Sequence, residues 1–593
     1  MKSTSVKPDK GGPKRPEIIV APGQLPLCVD MAEQVLLASG EQLYQRGTIL
    51  VRPIRGAPMT MHSLQRADGA LILIAVEAPW LTEQMARLAR WVRLGKDEND
   101  LKTIDVPRDV AYTYLARVGR WNVPVLTGII ESPTLRPDGS ILDQPGYDAQ
   151  TGLLYQPSIS FPPILVSPTR KDAEKALALL RDLIRDFPFA DPHDESVALS
   201  AILTALVRRS LRAAPMHAFR APKMASGKSL LADVTALVAI GRRVAVVTPT
   251  QDSNEERKRV FSLLLAGDPI ASVDNVEQAW SSDTMCSVLT SETFQDRILG
   301  QSKTVVVPTS TFWLCTGNNL TFKGDLTTRV LPCDLDPKTE RPEQRSFKRN
   351  LYEYIPLHRG DLVQAALTIL RAHHLAGRPD MGLKPYGRFE DWSATVRAAL
   401  VWLGMPDPCL SIADLEESDP IRQHLRTLLQ SWHGMFGSKP ATVAEAVQRA
   451  TSELEDAAQM LNEACMEVAG ERGSINQRIL GRFLSKYERR MEGGLRIEKA
   501  GEYKHATLWR VSELTNSLQQ PIDLKGKSAK PVSSESFPPA DPKEDFLMST
   551  DAEQLTHVTP QEKREPPPLL ELDEVSFPPN AFHDADGAAE CPF

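Results

Sequence analysis

Residues 221–229 read Ala221-Pro-Lys-Met-Ala-Ser-Gly-Lys-Ser229. The run closes as a phosphate-binding loop closes. Backbone N–H groups of Ala225, Ser226 and Gly227 would wrap phosphate oxygens, Lys228 would reach the β and γ oxygens, and the Ser229 hydroxyl would ligate magnesium. A helix starting here adds the partial positive charge of its N-terminus. The flanks suit this mechanism, because Pro215–Arg220 predicts a strand and Ser229–Ile240 a helix. One position departs from the usual Gly-x-x-x-x-Gly-Lys-Ser/Thr pattern: its first glycine is Pro222 here.

Downstream, the chain alternates strands and helices to about Asp336, which predicts a parallel α/β layer. Val244–Thr248 reads as a short buried strand and Glu255–Ala266 as a helix. Pro269–Val273 is an apolar strand ending in Asp274-Asn275, where a carboxylate can hold magnesium through water. Thr311–Thr316 is a second apolar strand, and it runs into Gly317-Asn318-Asn319, whose amides can orient an attacking water. Asp325-Leu-Thr-Thr-Arg329 leads into the strand Val330–Leu335, and Arg329 is placed to reach a neighbouring subunit's γ-phosphate. Each piece alone has a plainer reading, a core strand ending in a polar turn or a surface arginine. Their order and spacing together favour a site for ATP and Mg²⁺.

The order of phosphate loop, Asp274-Asn275, Gly317-Asn318-Asn319 and Arg329 resembles the AAA+ P-loop ATPase core. It is most similar to the helicase-like ATPases of phages, plasmids and integrative mobile elements, related to superfamily III and MCM helicases. Two further segments resemble those primase-helicase-like proteins: Pro137–Gly152 upstream, and Gly387-Arg-Phe-Glu-Asp-Trp392 through Val396-Arg397 to Trp402–Pro408 downstream. The resemblance spans roughly residues 25–514. It implies that Lys228 and Ser229 bind phosphate and magnesium, that Asp274 serves as the Walker B carboxylate, that Asn318 is sensor 1 and that Arg329 is an arginine finger in a ring, expected to be a hexamer. The family's Walker B strand commonly ends in Asp-Glu, the Glu acting as base. Asn275 stands in that place, with Glu277 as a substitute, so a weak or partner-dependent ATPase fits as well. Arg297–Val307 reads as a hairpin with a Gly-Gln-Ser turn. In the resembled helicases a hairpin at this point enters the ring's pore, which would bring Lys303 to a DNA phosphate; the plainer reading is a solvent-exposed turn lysine.

Ser474–Arg490 predicts a helix capped by Ser474. Arg478, Arg482, Lys486 and Arg490 recur every four residues and so share one face, while Ile479, Leu480, Phe483 and Leu484 point to a core. Leu495–Lys499 and Thr507–Val511 read as strands on either side of Ala500-Gly-Glu. Helix followed by hairpin looks like a winged helix with its basic face on DNA, against the alternative of a solvated charged face. Four or five phosphate contacts would give salt-sensitive binding with little base specificity.

Composition sets the frame for these segments. Of 593 residues, 24% are charged and 42% hydrophobic, values of a globular body that exclude a collagen-like or wholly disordered chain. The net charge of −7 excludes a uniformly basic surface. Residues 515–593 supply all of that excess: 15 acidic and 6 basic residues leave a tail of −9 on a near-neutral body. This tail is rich in Pro, Ser and acids and reads as disordered. It repeats Ser-Phe-Pro-Pro at Ser536–Pro539 and Ser576–Pro579, and closes on Asp584-Ala-Asp-Gly-Ala-Ala-Glu-Cys-Pro-Phe593. That ending resembles the C-terminal peptide of bacterial single-stranded-DNA-binding proteins, which implies recruitment of a primase or other replication protein. Seven scattered cysteines with no Cys-x-x-Cys pair suit a reducing compartment. Neither a signal peptide nor a membrane helix is predicted, so the expectation is a cytoplasmic protein.

The expected organisation is a flexible leader (1–24), an N-terminal α+β domain (25–168), the AAA+ core (169–342), a helical domain (343–436), a linker and one long helix (437–469), a winged helix (470–514) and the acidic tail. The expected activity is an ATPase coupled to DNA translocation in replication of a mobile element. The alternatives are an ATP-switched DNA-binding loader or scaffold with little hydrolysis, and an ATPase of anti-phage defence.

Overall fold

Met216–Ala221 (β1) is buried at all six positions. A strand with no exposed face must sit inside a sheet covered on both sides. In the computed structural model this strand has neighbours on either hand in a seven-stranded sheet. The structure describes residues 15–513 apart from 57–58, 62–63, 96–99, 299–302, 346–347, 418 and 453–454. The leader's first 14 residues, the acidic tail and the tip of the expected pore hairpin therefore lie outside the described residues.

After β1 come α1 (Lys228–Ile240), β2 (Ala245–Val247), α2 (Ser253–Ala266), β3 (Ile270–Val273) and α3 (Asp283–Thr290). An antiparallel hairpin follows, β4 (Thr293–Arg297) with β5 (Thr304–Pro308), and then β6 (Phe312–Asn318) and β7 (Val330–Asp334). The sheet order is β7-β1-β6-β3-β2, and all four pairings are parallel. Pleat alternation divides the core. Phe219, Ala221, Phe312 and Leu314 face one cluster, with α1, the helices Arg170–Ile184 and Pro192–Val207, and α4 (Leu351–Leu375). Met216, Ala218, Trp313 and Cys315 face the other, with α2 and α3. The chain is thus mixed α/β with several sheets, as its alternating pattern predicts.

The sheet does not end at β2. Leu64–Arg66, from far upstream, pairs antiparallel with β2, and Met59–Met61 pairs with Leu64–Arg66 in turn. The N-terminal region also builds a core of its own from Leu25–Ala38, Ala78–Leu88 and Arg108–Ala116. The helical spacing of Met85, Leu88 and Val92 predicts a helix over Glu83–Arg93, but the helix stops at Leu88. Ala89 is extended, and Arg90–Leu94 is a strand parallel to Glu17–Ile19. Trp91 and Val92 are both buried. An aromatic and a β-branched residue side by side suit a strand covered on both faces better than one helix stripe. Asp138-Gly139 is a tight-turn pair by composition, and it joins Thr134–Leu135 to Ile141–Leu142, with Gly139 at φ 82°.

The last module has its own core. It contains α5 (Pro420–Phe436), α6 (Val443–Ser452), α7 (Asp456–Ala469), α8 (Gln477–Lys486), β8 (Leu495–Tyr503) and β9 (Ala506–Glu513). The single long helix expected over 444–469 is two helices. Buried Ala446 and Ala450 on α6 pack in one core with Leu461, Ala464 and Cys465 on α7, and the Asn462 amide donates to Ala450 O at 2.9 Å. One straight helix cannot fold its own stripe back in this way. Among the described residues, no helix is long and apolar enough to cross a membrane.

Candidate functional site

The carboxyl ends of β1, β3 and β6 lie side by side, which is where open parallel sheets place ligands. Directly after β1 the chain turns through Ala225, held at φ 59°, and Gly227, at φ 102°. Gly227 takes this left-handed conformation without a Cβ penalty and is the N-cap of α1. Ser226 is buried, and its hydroxyl donates to Lys223 O at 2.8 Å, closing the loop on itself.

Lys228 is 8% exposed. Its Nζ donates to Lys223 O at 2.9 Å and to Asn318 Oδ1 at 2.7 Å. Burial lowers its pKa, because desolvation penalises the ammonium, and the nearby Asp274 carboxylate works the other way. Ser229 Oγ donates to Asp274 Oδ1 at 3.3 Å. A hydroxyl and a carboxylate at this separation are hard oxygen donors of the kind Mg²⁺ takes from proteins, with water and phosphate filling its remaining positions.

The structure thus brings Ala225, Ser226, Gly227, Lys228, Ser229, Asp274 and Asn318 together. Sequence reasoning missed Thr316. Its hydroxyl donates to Asp274 Oδ1 and accepts from the Asn275 N–H at 3.2 Å, so it fixes both residues that follow β3. The signal was one hydroxyl inside an otherwise apolar run, in register opposite the end of β3. Asn275, at φ 58°, donates from its side-chain amide to Glu277 Oε1 at 2.9 Å. Beside Ser229 and Asp274 a cavity of about 450 Å³ also reaches Asp233, Arg243 and Tyr352. Burial raises the Asp233 pKa although the Tyr352 hydroxyl donates to it at 2.8 Å.

The other expected site residues lie elsewhere. Arg329 ends the turn Gly324–Arg329 and is 8% exposed; its Nη1 donates to Asp325 O and Thr328 Oγ1. None of its hydrogen bonds goes to the Lys228 cluster. Lys303 is exposed, and its carbonyl accepts from Ile298 N across the β4–β5 hairpin. Arg478, Arg482 and Lys486 are exposed on α8. The expected helix Ser474–Arg490 is shorter at both ends. Asn476, not Ser474, is the cap, accepting from Arg478 N and Ile479 N, and the helix ends at Lys486. Arg490 therefore lies off the helix face, paired with the buried carboxylate of Glu492 at 3.3 Å.

The fold and site define a parallel α/β sheet with a buried lysine, a serine, a carboxylate and an amide converging at one end. No known protein family matches this chain, and no curated protein does. Among solved structures, the chain is similar to the C-terminal region of NrS-1 in its A-form apo structure. That match has 13% identity and a TM-score of 0.36, covering 81% of this chain and 99% of that one. It is also similar to the X-ray structure of JCV helicase, at 15% identity and a TM-score of 0.18, covering 40% of this chain and 74% of that one.

Proposed function

We propose that the chain is an ATP-dependent DNA helicase or translocase with an AAA+ core, acting as a ring in replication of a mobile element. The observation that carries this reading is the meeting of Lys228, Asn318, Ser229 and Asp274 at the carboxyl ends of adjacent strands. MgATP, when bound, supplies the phosphoanhydride and the metal that neutralises its charge. Lys228 then exchanges its Lys223 carbonyl and Asn318 amide for phosphate oxygens. Ser229 and Asp274 hold the metal, Asp274 aimed by Thr316. Asn318, released from Lys228, orients water. With Asp274 on the metal and the Asn275 amide unable to take a proton, Glu277, hydrogen-bonded to the Asn275 amide, is the carboxylate that takes it.

Arg329 completes a neighbouring subunit's site in this reading by turning out of its seat beside Asp325. Lys303 and the β4–β5 hairpin grip a single strand. The cations of α8, with the β8–β9 hairpin as the wing, lie on duplex. The second reading, an ATP-switched loader or scaffold, is favoured by Asn275 and Pro222, each replacing a residue that hydrolysis or phosphate binding commonly uses.

A single-stranded-DNA-stimulated ATPase assay tests the first reading. Wild type is expected to hydrolyse ATP faster with DNA, and Lys228→Ala to lose at least 100-fold. Nucleotide binding without DNA-stimulated turnover above the Lys228→Ala level would sink the helicase and leave the scaffold.

A further inference from the structure

A cavity of about 780 Å³ opens between the turn Gly324–Arg329 and the loop 382–388, sharing no lining residue with the Lys228 cluster. Its volume is that of a small-molecule site, about 300–1,000 Å³. Two buried polar atoms of its lining residues, Arg329 Nε and Tyr386 Oη, have no hydrogen-bond partner among the described residues. The Arg329 side chain is nine-tenths buried. Both orphaned groups carry a hydrogen to donate, and burying a donor without an acceptor is costly.

The charge around them is also unbalanced. Arg397 is neutralised by Asp407 at 2.6 Å. Among the described lining residues the one other carboxylate is Asp325, 3.8 Å from Arg329 and 86% exposed, against the three cations Arg329, Lys384 and Arg388. Glu390 reaches the Arg388 backbone N–H at 3.0 Å. Lys384 and Arg388 are exposed at the rim. Leu383 and Leu410 add apolar surface to the lining, and Leu410 is 57% exposed.

We propose that this cavity is a second ligand site, taking a nucleotide-sized phosphate compound within one chain. Its phosphate accepts from Arg329 Nε and Tyr386 Oη, Lys384 and Arg388 close over the anion, and the organic part lies on Leu383 and Leu410. An occupied cavity holds the Arg329 guanidinium inward.

The test uses the full chain carrying Lys228→Ala, which silences the first site, so its outcome is separate from that of the ATPase reading. ADP and pyrophosphate are titrated by calorimetry. One saturable site per chain is expected for each probe, with ADP the tighter. Adding Lys384→Ala and Arg388→Ala, both at exposed positions, is expected to weaken binding at least tenfold, and adding Tyr386→Phe instead several-fold. Absence of binding to the Lys228→Ala chain, or equal affinity in the rim variant, overturns the proposal.

Discussion

Thr316 shows how much one hydroxyl can govern. It donates to the Asp274 carboxylate and accepts from the Asn275 backbone, so the residue after β3 and its neighbour are both aimed from the strand alongside. Thr316→Val keeps the shape of the side chain and removes both interactions, leaving the Asn275 N–H without its acceptor at a cost of about 1–3 kcal/mol. We expect ATPase activity to fall about tenfold, with half-saturation shifted to higher Mg²⁺, and Thr316→Ser to restore most of both. A magnesium titration of ATPase rate checks this. An unchanged magnesium dependence would show that Thr316 supports packing alone. The cluster around Lys228 was legible because glycine, lysine, serine and strand-ending polar residues each carry a local signal. Thr316 was not, because its importance comes from register between strands over forty residues apart. The seat of Arg329 was hidden for a related reason. Its sequence position suggests reach, and only the packed turn shows the side chain held inward by Asp325 and Thr328.

At the scale of elements, the β8–β9 hairpin turns at Lys504-His505, with φ of 49° and 63°. Two successive left-handed residues make the tight turn that matches strand twist, for which Asn-Gly is the preferred pair. The sequence points instead to Ala500-Gly-Glu, because glycine is the usual sign of a turn. Gly501, at φ 115°, marks a bulge where the pairing register shifts between Lys499 and Glu502. The strands therefore run on past it, and the hairpin is longer than expected. Replacing Lys504-His505 with Asn-Gly is expected to stabilise the C-terminal module by about 0.5–1 kcal/mol. Urea unfolding followed through Trp509, buried in that module, reads the change. A loss of stability would mean that the two side chains contribute more than the backbone strain they impose. The division of residues 444–469 into two helices was equally hidden, since both halves have helical periodicity and only their mutual packing requires a break.

Across the whole molecule, the N-terminal region is joined to the half that carries the Lys228 cluster by polar contacts as well as by the shared sheet. Arg46 is 1% exposed, and its Nη1 donates to Leu264 O at 2.7 Å and Leu265 O at 2.9 Å, two carbonyls of the last turn of α2. A cation at a helix C-terminus is favoured by the helix dipole. Burial nevertheless pulls its pKa down to about 9, with Arg209 adding to the effect and Asp268 opposing it. Asp268 in turn pairs with Arg66 at 2.6 Å. Arg46→Met fills the same space without the donors, and its expected cost is about 2–4 kcal/mol, the loss of charged hydrogen bonds plus stranded carbonyls. Thermal unfolding and limited proteolysis between residues 46 and 66 measure it. A variant as stable and as resistant as wild type would show that the shared sheet alone holds the two parts. None of this was readable from spacing, because partners more than 200 residues apart leave no periodic trace.

The hairpin ending at Arg66 has a consequence in the order of events during synthesis. Leu64 pairs with Val247, about 180 residues later in the chain. A domain grown from its N-terminus cannot close such a pairing until the distant strand has emerged. The upstream hairpin must therefore wait as an unpaired edge while β1, α1 and β2 are made. The half that carries the Lys228 cluster in turn gains its last strands from chain that left the ribosome long before. The two parts reach their final form together, at a late step that depends on both.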